Sequence, residues 1–431
     1  MVNKISKYLY LFQKESKKFL YAPLSNSFAE LDSDVYEKLL SIRNGNGSLD
    51  DLDDEEKDLL IRMKVINVDD DLEINKLKFN ILMRRYDPRH LNLTINPTLA
   101  CNFACPYCFE STHSPQFMSD KVENDIITFI QNHKYLSHLY VTWFGGEPLL
   151  AFDRIVTLTK RMQSIGLKYK AGMITNGYLL TEEKVKLFEE LQISSVQITI
   201  DGLEQTHNAR RFKKGGGPTF QTILNNIEQA QQVSPQTKII VRVNVDRTNS
   251  GEFFEVLNYF REKKYPNVVV YPGFVNDSSD GGQNHCVYNS NEIAAFLVDA
   301  YHKHHYNSDL FYPNNIIRVC GVRNPNSVVV GPLGELYKCW NDVGNLERSY
   351  GYIDGRMTHE AVLYEYLIKA DHLNDKKCNA CLFFPVCDGG CPYQRIKNES
   401  SGCQKDTCSL FKKNIKDFLM LRYNYKNLNK K

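Results

Sequence analysis

The sequence predicts an α/β protein built around a partial (β/α)6 barrel, and three observations carry that expectation. From residue 91 to about 307, runs rich in β-branched and aromatic residues alternate with helical patterns. The first 80 residues read instead as three short strands followed by helices. After about residue 310 this periodicity fades and the cysteines crowd together. The implied domains are 1–85, 86–309 and 310–431.

In the first segment, "KYLYLFQ", "KFLYAP" and "SFAELD" are strand-like and separated by polar or Pro/Asn/Ser turns. "DVYEKLLSI" and "DDEEKDLLIRM" follow as helices with acidic starts. This order predicts a small winged-helix-like module. The barrel strands are expected at 91–97, 139–146, 171–177, 196–202, 239–246 and 268–275. The helices between them include "DKVENDIITFIQNH", "FDRIVTLTKRMQSIG", "TEEKVKLFEELQ", "FQTILNNIEQAQQ" and "EFFEVLNYFREKK", and "NEIAAFLVDAYHKHH" follows the sixth strand. Six strands are too few for a closed eight-stranded barrel, so an open one is expected, with its site at the C-terminal strand ends. The tail from residue 411 reads as one amphipathic helix with a basic end.

The 431 residues carry 53 basic and 51 acidic side chains, a formal charge of +2. That balance argues against a nucleic-acid scaffold or a membrane-seeking surface. The start has no basic n-region followed by an apolar run, and no run of about eighteen apolar residues occurs anywhere, so a cytoplasmic protein is expected. In a reducing compartment twelve cysteines at short spacings point to metal rather than disulfides.

The densest group is "ACNFACPYCFE", with Cys101, Cys105 and Cys108 directly after the first barrel strand. Thiolates suit zinc as well as iron–sulfur clusters. Structural zinc takes four protein ligands, however, and no fourth is nearby. With "WFGGEP" downstream, the stretch resembles the radical S-adenosylmethionine superfamily over residues 91–307. The resemblance implies a [4Fe-4S] cluster on these cysteines, whose open iron chelates the amino and carboxylate groups of S-adenosylmethionine. It implies cleavage of that cofactor to a 5′-deoxyadenosyl radical.

Candidate cofactor contacts end the strands. Gly145 and Gly146 permit close backbone approach, and Glu147, ahead of Pro148, can accept hydrogen bonds from a cationic amine. Thr175 and Asn176 in "ITNG", and Thr199 and Asp201 in "TIDG", offer polar groups for ribose and methionine. Each taken singly is also ordinary turn chemistry. "DGLEQTHNARR" resembles the stretch in which related enzymes set an arginine against the cofactor carboxylate. Its spacing assigns Arg211, with Arg210 as the alternative. Asn244 stands at the inner end of the fifth strand, and His207 reads as a structural polar contact. "KKGGGPTF" reads as a flexible loop able to close over substrate, and Asp342 in "KCWND" as an exposed loop carboxylate.

The C-terminal segment contains Cys320, "GPLGELYKC" ending at Cys339, "CNACLFFPVCDGGC", and Cys408. This pattern resembles the SPASM extension, an Fe–S-stabilised domain with two auxiliary [4Fe-4S] clusters. The resemblance implies Cys320, Cys339 and Cys391 as ligands of one cluster and Cys378, Cys381, Cys387 and Cys408 of the other, with Cys339 on a hairpin. The eighth ligand stays open between Cys403, Cys286 and a vacant iron. Three [4Fe-4S] clusters and S-adenosylmethionine are thus the implied cofactors.

SPASM enzymes oxidatively modify peptides and proteins. The N-terminal module resembles the recognition domains of maturases for ribosomally made, post-translationally modified peptides, in which a leader adds a strand to a sheet edge. The resemblance implies thioether or carbon–carbon cross-linking of a precursor peptide, with a flavodoxin- or ferredoxin-like reductant as partner. The alternatives are an anaerobic sulfatase-maturating enzyme, which makes formylglycine, and a non-catalytic Fe–S electron-transfer protein.

Overall fold

The computed structural model describes residues 3–108, 115–275, 287–306, 312–313, 320–401 and 405–428. Cys286 and Cys403 lie outside these. The chain divides into two units, Asp87–Asn289 with Asn324–Leu367, and Met1–Tyr86 with Ser290–Arg323 and Ile368–Lys431.

In the second of these units, β1 (Lys4–Ile5) pairs antiparallel with β5 (Ile66–Asn67). The strands β2 (Tyr10–Lys14), β3 (Lys17–Ala22) and β4 (Ser27–Leu31) form an antiparallel sheet with β3 in the middle. Helices Ser33–Arg43 and Asp54–Arg62 follow as expected. Asp53 caps the latter by accepting from Glu56 N while the Glu56 carboxylate accepts from Asp53 N. A third helix, Asp70–Arg85, was not anticipated; Asp69 caps it and its first turn is acidic.

Leu9, Leu20, Ala22, Leu39, Leu60 and Val65 share one apolar core. Phe12, Phe19 and Tyr21 instead join Phe383, Val386, Ile415 and Leu419. Residues 1–85 therefore bury part of their apolar surface against the C-terminal segment and do not close all of it by themselves. The tail forms the helix Phe411–Leu428, with a kink at Asn414.

The other unit holds the parallel sheet. Its strands are β6 (His90–Ile95), β7 (His138–Trp143), β8 (Lys168–Thr175), β9 (Ile193–Thr199), β10 (Lys238–Val245) and β11 (Val268–Phe274), all six pairing in parallel in sequence order. Burial alternates along them. Leu91, Leu93 and Ile95, or Ile239, Val241, Val243 and Val245, are fully buried. The intervening residues, among them Thr94, Thr142, Gln197, Thr199, Arg242 and Asn244, are only half-buried and line the opposite, polar face.

The sheet does not stop at six strands. The segment beyond residue 310 supplies β12 (Ser327–Val330), β13 (Glu335–Tyr337) and β14 (Gly351–Tyr352). β12 pairs in parallel with β6, and β12–β13 form the expected hairpin, giving nine strands in the order β11-β10-β9-β8-β7-β6-β12-β13-β14. One helix is shorter than predicted: "TEEKVKLFEELQ" is helical only over Glu182–Lys186. Among the described residues no helix is long and apolar enough to cross a membrane.

Candidate cluster and cofactor site

The loop holding Cys101, Cys105 and Cys108 leaves the C-terminal end of β6. Cys108 N donates to Cys105 O at 3.1 Å, closing a turn with Pro106 in its second position. The loop is braced from two sides. Phe103 bridges Lys213, Ala104 N donates to Phe212 O at 2.9 Å, and Lys214 N donates to Asn102 O at 2.8 Å. The "KKGGGPTF" stretch is therefore tied down at its start. At its Gly215–Gly216 tip, with φ of 86° and 88°, an added Cβ would meet nothing within 4 Å, although Gly216 N still donates to Lys213 O at 2.9 Å.

The other brace is "GGEP". Gly146 N and Glu147 N donate to Thr98 O and Ala100 O, at 3.2 and 2.8 Å. A Cβ on Gly146 would lie 2.4 Å from Ala100 O and 2.5 Å from Leu99 O; one on Gly145, at φ 113°, would lie 2.4 Å from Thr98 O. Both glycines are needed because β7's end lies flat on the backbone that enters the cysteine loop.

Glu147 is fully buried, and burial raises its pKa against the opposing hydrogen bonds. Its Oε1 accepts from Thr175 Oγ1 (2.7 Å) and Leu149 N (3.0 Å), and its Oε2 from Asn176 N (2.7 Å). The carboxylate anticipated as an amine acceptor thus already joins the ends of β7 and β8. Pro148, buried, opens the short turn Pro148–Ala151. Asn176 Nδ2 donates to Asn102 Oδ1 at 2.7 Å, coupling β8 to the cysteine loop.

Tyr107, inside the cysteine run, is the hub that the sequence reading missed. Its hydroxyl accepts from Arg211 Nη1 (2.6 Å) and Asn244 Nδ2 (3.4 Å) and donates to Asp201 Oδ2. Asp201, Arg211 and Asn244 come from three separate chain segments, so one phenol collects three of the predicted contacts. Thr199 ends β9, half-buried, opposite Arg242. Arg210 pairs with Asp246 at 2.9 Å and Asp201 at 3.4 Å, which commits the alternative arginine to an ion-pair role. Asn249 Nδ2 donates to the carbonyls of both Asp201 and Asn244 at 2.8 Å. The residues Tyr107, Asn102 and Asn249 were legible only as neighbours of the motifs.

The Cys101 and Cys105 thiols are largely desolvated, although the neighbouring Ala104 and Pro106 are exposed. Burial pushes the Cys101 thiol up to about 11, with small opposing and reinforcing contributions from Phe103 N, Glu147 and Cys108. Cys105 is raised by burial too, against Arg211. His207, fully buried between Asp201 N and Thr219 Oγ1, is lowered to about 3 by burial and by Arg211. It is a neutral structural contact, as expected. Asp201 Oδ1 and Arg211 Nε are buried without hydrogen-bond partners among the described residues. Three neighbouring thiols, two of them desolvated, with an orphan acceptor and donor beside them, fit a soft cluster and a small polar ligand.

Two further thiol groups lie in the cysteine-rich unit. Cys387 is raised to about 11 by burial, and Asp388, Cys378 and Cys381 add to the shift; Lys412 is held charged by Cys408 and Cys381. Cys378, Cys381, Cys387 and Cys408 thus share one neighbourhood. Arg395 Nη2 donates to Cys378 Sγ at 3.0 Å and Lys412 Nζ to Cys408 Sγ at 3.5 Å. Cys320 instead senses Cys391. The glycines of "CDGGC" explain that spacing. At φ 79° and 73°, Cβ atoms on Gly389 and Gly390 would lie 2.2 Å from His372 Cβ and 1.8 Å from Thr407 O. Among the described residues no three His, Cys, Asp or Glu side chains form a ready-made single-ion site.

Cys339, in the sheet unit, follows β13 and is buried. Asp342 is not an exposed loop carboxylate: it is 3% exposed, accepts from Tyr366 at 2.6 Å, and lies 3.5 Å from Arg348 Nε. The short turn Trp340–Asp342 folds it inward.

Residues 95–260 match the Radical SAM superfamily. The chain is similar to the sporulation killing factor maturation protein SkfB of Bacillus subtilis (strain 168), 27% identical over 169 residues. That match covers 39% of this chain and 38% of the relative, well under two thirds of its length. It is also similar to a cysteine-type anaerobic sulfatase-maturating enzyme of Clostridium perfringens (strain 13 / Type A), 23% identical over 350 residues, or 72% of this chain and 91% of the relative. Among solved structures, native anSMEcpe with bound AdoMet superposes with a TM-score of 0.59 at 21% identity, covering 78% of this chain and 97% of that one. SuiB of Streptococcus suis bound to precursor peptide SuiA gives 0.53 at 14% identity, covering 95% and 100%. At such identities these likenesses establish the fold.

Proposed function

Because the chain carries a Radical SAM domain and is an enzyme of that superfamily, we propose that it is a SPASM-type maturase that oxidatively modifies a ribosomal precursor peptide. The observation that carries the reading is the loop of three clustered thiols at the polar strand ends, Cys101 and Cys105 desolvated, together with two further thiol neighbourhoods in the same chain. Cys101, Cys105 and Cys108 would hold one [4Fe-4S] cluster, leaving an iron for S-adenosylmethionine. Cys378, Cys381, Cys387 and Cys408 would hold another, and Cys320 and Cys391 would serve a third. When bound, the first cluster and S-adenosylmethionine supply hydrogen-atom abstraction, and the auxiliary clusters supply an outlet for the second electron.

The protein's own residues prepare that chemistry. Tyr107 fixes the loop on Asp201, Arg211 and Asn244, so the thiols keep their spacing while the ligand enters. Arg211, buried and held charged by Tyr107 and Asp201 against its own desolvation, is the group set to meet a carboxylate. Gly145 and Gly146 let the backbone close under the loop. Thiol protons leave as the ligands bind, because the thiolate is the ligand form.

A peptide substrate is favoured by the likeness to SuiB over nearly the whole chain, including the N-terminal module. There β2 and β4 are the edges of a three-stranded sheet, either of which a leader could extend. The likeness to the sulfatase-maturating relative over 72% of the chain favours formylglycine formation as a second reading. Anaerobic incubation with a candidate precursor, with and without its leader, and with a cysteine-bearing sulfatase peptide separates the two by mass spectrometry. A loss of two hydrogens from the leader-bearing precursor alone is the expected result. Turnover of the sulfatase peptide alone would overturn the first reading in favour of the second.

A further inference from the structure

In the cysteine-rich unit, buried charge gathers beside Cys320 and Cys391. Arg85 and Arg323 are 3% and 1% exposed, and Asp371 is 5% exposed. Arg85 Nη1 donates to Asp371 Oδ2 at 2.6 Å, while Arg323 Nε stands 3.9 Å from Asp371 Oδ1. His372, also buried, lies 3.3 Å from the same oxygen, and its pKa is lowered by burial. Four guanidinium nitrogens, Arg85 Nε and Nη2 and Arg323 Nε and Nη1, have no partner among the described residues.

Two guanidiniums thus face one fully buried carboxylate. Burial lowers the Arg323 pKa, and Asp388 opposes that more than Asp371 does, but Asp388 is only half-buried and shares its charge with solvent. Buried cations are costly unless an anion lies close.

Arg323 also links the two cysteine segments. Its backbone N donates to Cys320 O at 3.1 Å, and its Nη2 donates to Gly390 O at 2.9 Å, one residue before Cys391. An arginine fork can hold such a geometry where a lysine offers a single point of charge. The missing anion has a natural candidate, since an iron–sulfur cluster with thiolate ligands is itself anionic and becomes more so on reduction.

We propose that Arg323 is a positioning residue for the auxiliary cluster served by Cys320 and Cys391, joining their segments and setting its charge to raise that cluster's reduction potential. This rests on the cluster reading above. One-electron reduction adds a negative charge, which a nearby desolvated cation favours and Asp371 opposes. Arg85 holds Asp371 in place and limits its opposition.

The test is a dithionite redox titration, followed by EPR, of the full-length, iron-loaded protein. Arg323→Gln is expected to shift one auxiliary signal to a more negative midpoint, with the other clusters unmoved. Arg323→Lys should restore most of the shift but hold less iron at that cluster. Asp371→Asn should move the same signal in the positive direction, and it decides the matter should Arg323→Gln fail to fold. Midpoints that stay put, or that move the same way in both variants at full iron content, would overturn the proposal. Cys320→Ala and Cys391→Ala variants that keep all their iron and all signals would sink the cluster reading itself, a failure distinct from that of Arg323.

Discussion

The guanidinium of Arg211 donates to the hydroxyl of Tyr107 across 2.6 Å, and that phenol passes the contact on to Asp201. The cysteine loop is therefore fastened to the end of β9 and to the turn after the helix Glu204–Arg210 before any ligand arrives.

Tyr107→Phe keeps the ring and removes the hydroxyl, leaving Arg211, Asp201 and Asn244 short of a partner in a dry site. Such orphaned groups cost about 1–3 kcal/mol. Urea unfolding of the cluster-free protein should show a loss of that size, and the iron of the first cluster should be released faster to a chelator. Unchanged stability would mean that the phenol is a bystander.

Gly146→Ala should be worse for the first cluster than its one added methyl suggests. The methyl meets two backbone carbonyls, which cannot swing aside as side chains do. Reconstitution is expected to leave the first cluster unfilled while the auxiliary signals persist. Gly215→Ala, with nothing within 4 Å, costs only the strain of its φ of 86° and should keep all its iron.

Gly390→Ala reverses the pattern. Its Cβ would fall 1.8 Å from Thr407 O, forcing apart the segments that bring Cys391 and Cys408 to their neighbours. Iron assays should show loss from the auxiliary sites and retention at Cys101, Cys105 and Cys108. Loss from the first loop alone would contradict this account.

The six parallel strands were legible because each is a short apolar run ended by turn residues, and the structure moves their bounds by only a few residues. What was hidden was long-range. Nothing near Ser327 signals that β12 will pair with β6, more than two hundred residues earlier in the chain. Tyr107 was hidden for another reason: between cysteines an aromatic reads as filler, and its role appears only when the ends of β9 and β10 and the turn after the helix Glu204–Arg210 converge on its hydroxyl. Asp342 was misjudged because a carboxylate in a polar loop is usually solvated, and its partner Tyr366 lies 24 residues on.

His207 gives a pH signature that is independent of iron. In the unfolded chain it takes a proton near pH 6.5; in the folded chain burial and Arg211 lower its pKa to about 3. Between these values the unfolded state binds more protons, so stability is fully present above pH 6.5 and declines as pH falls. The limiting slope for one such group is about 1.4 kcal/mol per pH unit, which integrates to about 2 kcal/mol between pH 7.5 and 5. His207→Gln removes the titration while keeping a side chain able to bond Thr219 and Asp201 N. Denaturant unfolding of the cluster-free protein from pH 7.5 to 5 should give a flatter profile for the variant by that amount, the remaining slope belonging to groups such as buried His372. Parallel profiles would show that His207 is protonated in the fold, and its contacts to Asp201 N and Thr219 would then have to be reassigned.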